Sequence, residues 1–110
     1  MTHDFLPDPR NAEILIDVNG SLFPRDEAKI SVFDSGFMLG DGVWEGLRVH
    51  KGRIPFLERH LKRLYDGAKT LDFASMPHKE ELEKRLFACL KANGMEEGVH
   101  IRLMVTRGLR

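Results

Sequence analysis

Leu57, Leu61, Leu64, Ala68 and Leu71 recur at three- and four-residue intervals, which draws an apolar stripe down a helix from Leu57 to Asp72. A second helix is predicted after Ser75-Met76-Pro77. Pro77 suits a first turn, Glu80 and Glu81 sit near the positive dipole end, and Leu82, Leu86 and Leu90 form the stripe. Asn93-Gly94 closes it with a residue able to adopt the left-handed conformation. Elsewhere the period is two. Val43, Glu45, Leu47 and Val49 share one face of a strand, with Trp44, Gly46, Arg48 and His50 on the other; along Val99 to Arg107, Ile101, Leu103 and Val105 oppose Arg102, Met104 and Thr106. The β-prone run Ile14 to Val18 precedes Asn19-Gly20, the dipeptide that most readily supplies the two positive φ angles of a type I′ hairpin turn. Its return strand, near Ser21 to Pro24, is short because Pro24 cannot donate to a ladder. Lys51-Gly52 predicts a second hairpin, returning through Arg53-Ile54-Pro55-Phe56. Between the hairpins lie the apolar, β-branched run Ile30 to Phe33 and the segment DSGFMLGDG, read as a loop because three glycines and two aspartates interrupt it. Strands, two helices and a strand make an α+β fold: an antiparallel sheet of hairpins with two helices packed on it.

At 110 residues the chain suits one domain, with an N-terminal arm over 1–13 and a small α+β domain over 14–110. Lys+Arg 17 against Asp+Glu 17 removes the cationic excess of a general nucleic-acid or anionic-membrane binder. The opening MTHDFLPDPRNAE has acidic residues and prolines where a secretory signal needs positive charge and an apolar run. With Cys89 alone there is no intramolecular disulfide and no thiolate zinc cluster, and His3, His50, His60, His78 and His100 show no ligand spacing, so no metal site is expected. The expected location is the cytoplasm.

Candidate chemistry lies on two surfaces. Trp44, Gly46 and Arg48 place a large aromatic, a bare backbone position and a planar cation on one strand face, a wall suited to a carboxylate or phosphate; the same pattern also fits a solvated sheet face with a bulge at Gly46. His60, Arg63 and Gly67 share a helix flank, where Arg63 either reaches a bound phosphate or snorkels around Leu64. Gly67 costs about 1 kcal/mol against alanine inside a helix, which implies that something packs closely on it. The glycines at 36, 40 and 42 match neither a Walker A loop nor a dinucleotide fingerprint. Arg102, Arg107 and Arg110 would repel one another without nearby anions or carboxylates, unless they form a surface fringe.

Taken together, VFDSGFMLGDGVWEGLRVHKGRIPFLERHLKRLYDGAKTLDF and HIRLMVTRG resemble the small N-terminal domain of the class IV, fold-type IV pyridoxal 5'-phosphate (PLP) aminotransferases, which include branched-chain and D-amino-acid aminotransferases. The resemblance runs from Ile14 to the last residue. It implies that Arg63 of HLKRL holds the cofactor phosphate. Trp44 takes the place of an aromatic lining the substrate pocket, Gly46 and Arg48 of EGLR take pocket and carboxylate-recognising positions, and Arg102 falls where branched-chain-type members carry a second active-site arginine. Leu39 stands where those members usually place a tyrosine that reaches the partner subunit's pocket. The TRGLR ending looks closer to D-amino-acid and amine-transaminase relatives.

In that family a Schiff-base lysine and a glutamate on the pyridine nitrogen lie in a second, larger domain. None of Lys29, Lys51, Lys62, Lys69, Lys79, Lys84 or Lys91 matches that lysine, so no catalytic residue is assigned and the chain is expected to be an inactive N-terminal piece, without measurable cofactor binding alone. The implied substrates are an amino acid and a 2-oxo acid, and the implied assembly is a homo-oligomer, a dimer. Two other readings share these features: the small domain of an aminodeoxychorismate lyase, against which the EGLR arginine speaks, and an autonomous, self-associating α+β binding module.

Overall fold

The computed structural model describes residues 7–109. Residues 1–6 of the arm and Arg110 of the arginine cluster lie outside them. The order is β1 (Leu15–Val18), β2 (Ser21–Pro24), α1 (Ser35–Leu39), β3 (Gly42–Val49), α2 (Leu57–Thr70), α3 (Lys79–Asn93) and β4 (Val99–Thr106).

The first hairpin forms as its sequence dictates. Asn19 and Gly20 both take positive φ, 55° and 91°, and β1 and β2 pair antiparallel from Leu15–Pro24 to Val18–Ser21. Asp17 on β1 then meets Arg85 of α3, with oxygen to nitrogen distances of 2.6 and 3.2 Å. Asn93 closes the other end of that contact: its side-chain amide accepts from Leu15 N at 2.8 Å and donates to Leu15 O at 3.0 Å.

The second expected hairpin is corrected. His50 and Arg53 exchange backbone hydrogen bonds of 2.8 and 2.9 Å across Lys51-Gly52, and there the pairing stops. The partner of β3 is β4 instead, antiparallel over all eight residues from Gly42–Thr106 to Val49–Val99. Pairing over eight residues buries far more backbone polarity than Arg53 to Phe56 offers, since Pro55 has no N–H to give. Among the described residues there are therefore two separate two-stranded ladders. Ile30 to Phe33 forms no strand. Part of the expected DSGFMLGDG loop is α1, where Asp34 caps Gly36 N at 2.8 Å and Gly40, at φ 66°, ends the helix. Pro77 precedes α3 rather than opening it, and Leu71 lies one residue past α2.

One face of β3–β4 carries the core. Leu47 and Val49 pack with Leu86 and Leu90 of α3, and Leu61 and Leu64 of α2 pack with Leu82, Val43, Leu103 and Val105. The close approach expected at Gly67 is present: a Cβ there would sit 3.1 Å from Val43 Cγ1. That contact draws α2 onto β3.

Candidate functional site

Alternation along β3 sends Trp44, Gly46 and Arg48 away from the helices, and the register with β4 brings Arg102 opposite Gly46 and His100 opposite Arg48. Four of the five residues picked from sequence thus meet on one open face. The Arg102 guanidinium lies 4.3 Å above the ring of the exposed Trp44, a cation–π stack that ties the two side chains together. Gly46 is the floor between them. A Cβ there would come within 3.0 Å of the His100 ring and 3.7 Å of Trp44, so glycine at this position is what lets the His100 ring pack over the strand. Neither Arg48 nor Arg102 has a carboxylate within salt-bridge distance among the described residues, so the face is locally cationic on a chain of zero net charge.

Arg63, the fifth residue, does not join that cluster. It stands on α2, on the helix-covered side of β3, and its partner is Glu45. Arg63 Nε donates to Glu45 Oε2 at 2.8 Å and Nη2 donates to Oε1 at 2.7 Å, a two-point fork. His60 Nδ1 meets the same Oε1 at 2.6 Å. The Glu45 side chain is only 5% exposed, whereas that of Arg63 is 72% exposed. The Arg63 hydrogen bonds hold the Glu45 carboxyl below the usual carboxylate range against the opposing effect of burial, and His60 adds to the same side.

Glu45 carried no role in the reading of the sequence beyond its place on the strand's inner face. The signal was there: a carboxylate alternating with Val43, Leu47 and Val49 on a core face needs a buried partner, and the His60–Arg63 flank supplies two. His100, which the histidine spacing gives no metal role, packs its ring over Gly46. Arg107 proves to be more than a surface fringe. It pairs with Asp41 at 2.6 Å, donates to Leu71 O and Asp72 O beyond the end of α2, and lies 4.8 Å over the Phe73 ring.

The fork leaves Arg63 a second edge. A guanidinium has five N–H donors, and Glu45 takes one from Nε and one from Nη2; the end-on Nη1/Nη2 edge makes no hydrogen bond among the described residues. That edge fits a phosphate oxygen pair, and the Arg48 and Arg102 face fits a carboxylate.

The family model for amino-transferase class IV matches residues 42–110, from the start of β3 onward. Among curated proteins, the branched-chain-amino-acid aminotransferase-like protein 1 of Arabidopsis thaliana is 52% identical over 103 residues, covering 94% of this chain and 19% of its own length. The D-alanine aminotransferase of Listeria monocytogenes is 34% identical over 93 residues, covering 84% of this chain and 32% of its own. Among solved structures, the branched-chain aminotransferase of the thermophilic archaeon Thermoproteus uzoniensis, crystallised with norvaline, superposes with a TM-score of 0.77 at 28% identity, over 86% of this chain and 33% of that one. The chain thus spans about a fifth to a third of the length of these relatives. The matched segment contains both the Trp44/Gly46/Arg48/Arg102 face and the Glu45–Arg63 fork, and the chain belongs to the class IV aminotransferase family.

Proposed function

We propose that the chain is the small domain of a PLP-dependent aminotransferase that moves an amino group between an amino acid, of branched-chain or D-amino-acid type, and a 2-oxo acid. The observation that carries this reading is that Glu45 takes the Nε/Nη2 edge of Arg63 while the end-on Nη1/Nη2 edge makes no hydrogen bond among the described residues. PLP, when bound, supplies the electron sink for the chemistry at the substrate α-carbon. Arg63 would hold its phosphate through Nη1 and Nη2. Arg48 and Arg102 would bind and orient a substrate carboxylate, Trp44 would give its side chain an apolar wall and exclude water, and Gly46 would contribute to the pocket by leaving room beside Trp44 that the His100 ring now fills. No residue of this chain is assigned a proton-transfer step, and the isolated 110 residues are expected to be inactive. The whole protein is read as a cytoplasmic homo-oligomer, a dimer, without nucleic-acid or membrane partners. Ile30, Val32, Phe33, Phe37, Met38 and Leu39, each with half or more of its surface exposed, support self-association.

The test is amino transfer from branched-chain L-amino acids and from D-alanine to 2-oxo acids, together with PLP affinity, measured on the whole protein that carries this chain. Turnover with one donor class, and a loss of about tenfold or more in PLP affinity on Arg63→Ala, are the expected results. A whole protein that transfers no amino group and binds PLP equally well with Arg63→Ala would end the reading.

A further inference from the structure

We propose that Glu45 is a positioning residue for cofactor binding: it grips the Nε/Nη2 edge of Arg63 so that the Nη1/Nη2 edge is presented, already oriented, to the phosphate. This inference rests on the reading of Arg63 given above. Arg63 sits on an exposed helix flank with 72% of its side chain in solvent, where a long side chain samples many rotamers and gives up that freedom on binding an anion. The Glu45 fork removes the freedom beforehand. His60 makes the grip rigid from behind, since its Nδ1 at 2.6 Å from Oε1 leaves the carboxylate bound at three points by two residues one helical turn apart. An ionised carboxylate only accepts, so His60 carries its proton on Nδ1 in this arrangement.

Fold stability alone does not call for a glutamate at this place. Its neighbours on the inner face of β3 are Val43, Leu47 and Val49, and an apolar side chain there would join the core without the desolvation cost of a carboxylate. Electrostatics alone would also argue against it, because a negative charge beside Arg63 weakens the pull on a phosphate. The two effects oppose each other, and the sign of the Glu45→Gln effect on affinity decides between orientation and charge.

The test uses the whole protein in four forms: unsubstituted, Glu45→Gln, Arg63→Ala and the double variant, with PLP affinity from equilibrium dialysis and folding followed by thermal melting. Glu45→Gln is expected to weaken PLP binding about tenfold, the order of coupling found between contacting charged side chains, and to have less than about a twofold effect once Arg63 is alanine. A merely structural glutamate would weaken binding equally in both backgrounds. Unchanged or tighter binding by Glu45→Gln, or effects that multiply in the double variant, would overturn the proposal while leaving Arg63 as the phosphate holder. Unchanged binding by Arg63→Ala would instead remove the reading beneath it. Should Glu45→Gln not fold, the unsubstituted protein still decides. The Arg63 Nε–H resonance is expected to keep its hydrogen-bonded shift when PLP is added, and its loss would mean that Arg63 leaves Glu45 to bind phosphate.

Discussion

Glu45 is ionised behind a sheet because two donors reach it from α2, and that dependence gives it a pH signature. Arg63 holds its folded-state carboxyl below the ordinary value of 4.5. The stability this contributes is therefore complete above about pH 4.5 and is lost as the pH falls through the lower folded value. Melting temperatures of this chain between about pH 5 and pH 3 should fall less steeply in Glu45→Gln than in the unsubstituted chain. Parallel curves would mean that folding does not lower the Glu45 carboxyl below its unfolded value. Arg63 and Trp44 could be picked out from residue type and local pattern, but the Arg63–Glu45 pair could not, because its members are 18 residues apart and on different elements. Only the seating of α2 on β3 makes them neighbours.

Among the elements, local signals decided wherever a turn of chain carries its own hydrogen bonds. Asn19-Gly20 made its hairpin, and Gly20→Ala, forced into φ 91°, should cost about 1–2 kcal/mol in urea denaturation, whereas Asn19→Gly should be nearly neutral. The two long helices formed at their stripes. Segment 30–42 was harder to read because its order comes from β4 and its C-terminal extension: Ser35 N donates to Gly108 O at 2.8 Å, and Thr106 Oγ1 donates to Asp34 Oδ2 at 3.0 Å. A methyl on Gly36 would run into the Thr106 side chain. Gly36→Ala is thus expected to destabilise the chain by about 1–3 kcal/mol and to speed hydrogen exchange across Ser35–Leu39 first. Exchange unchanged in that segment would show that α1 does not depend on its contact with β4.

Across the fold, the β3–β4 ladder joins α2 and α3 to one core, and Leu47 lies at its centre with no exposed surface. Leu47→Ala should cost about 2–5 kcal/mol in chemical denaturation. Leu71, on the same predicted stripe as Leu61 and Leu64 but 40% exposed beyond the end of α2, should tolerate alanine within about 0.5 kcal/mol. Equal losses at the two positions would mean that the stripe continues into the core as its periodicity suggested.

Residue pattern alone was enough for the class of the fold, the two helices and their buried faces, the first hairpin, and which side chains of β3 and β4 would point away from the core, since each follows from a period of about 2 or 3.6 or from a turn with its own geometry. Packing in three dimensions chose β4 rather than Arg53 to Phe56 as the partner of β3, stacked Arg102 on Trp44, and placed Arg63 in the grip of Glu45. Those contacts join residues far apart along the chain. Such pairings depend on competition between possible partners for the same backbone and side-chain donors, which no local window of sequence contains.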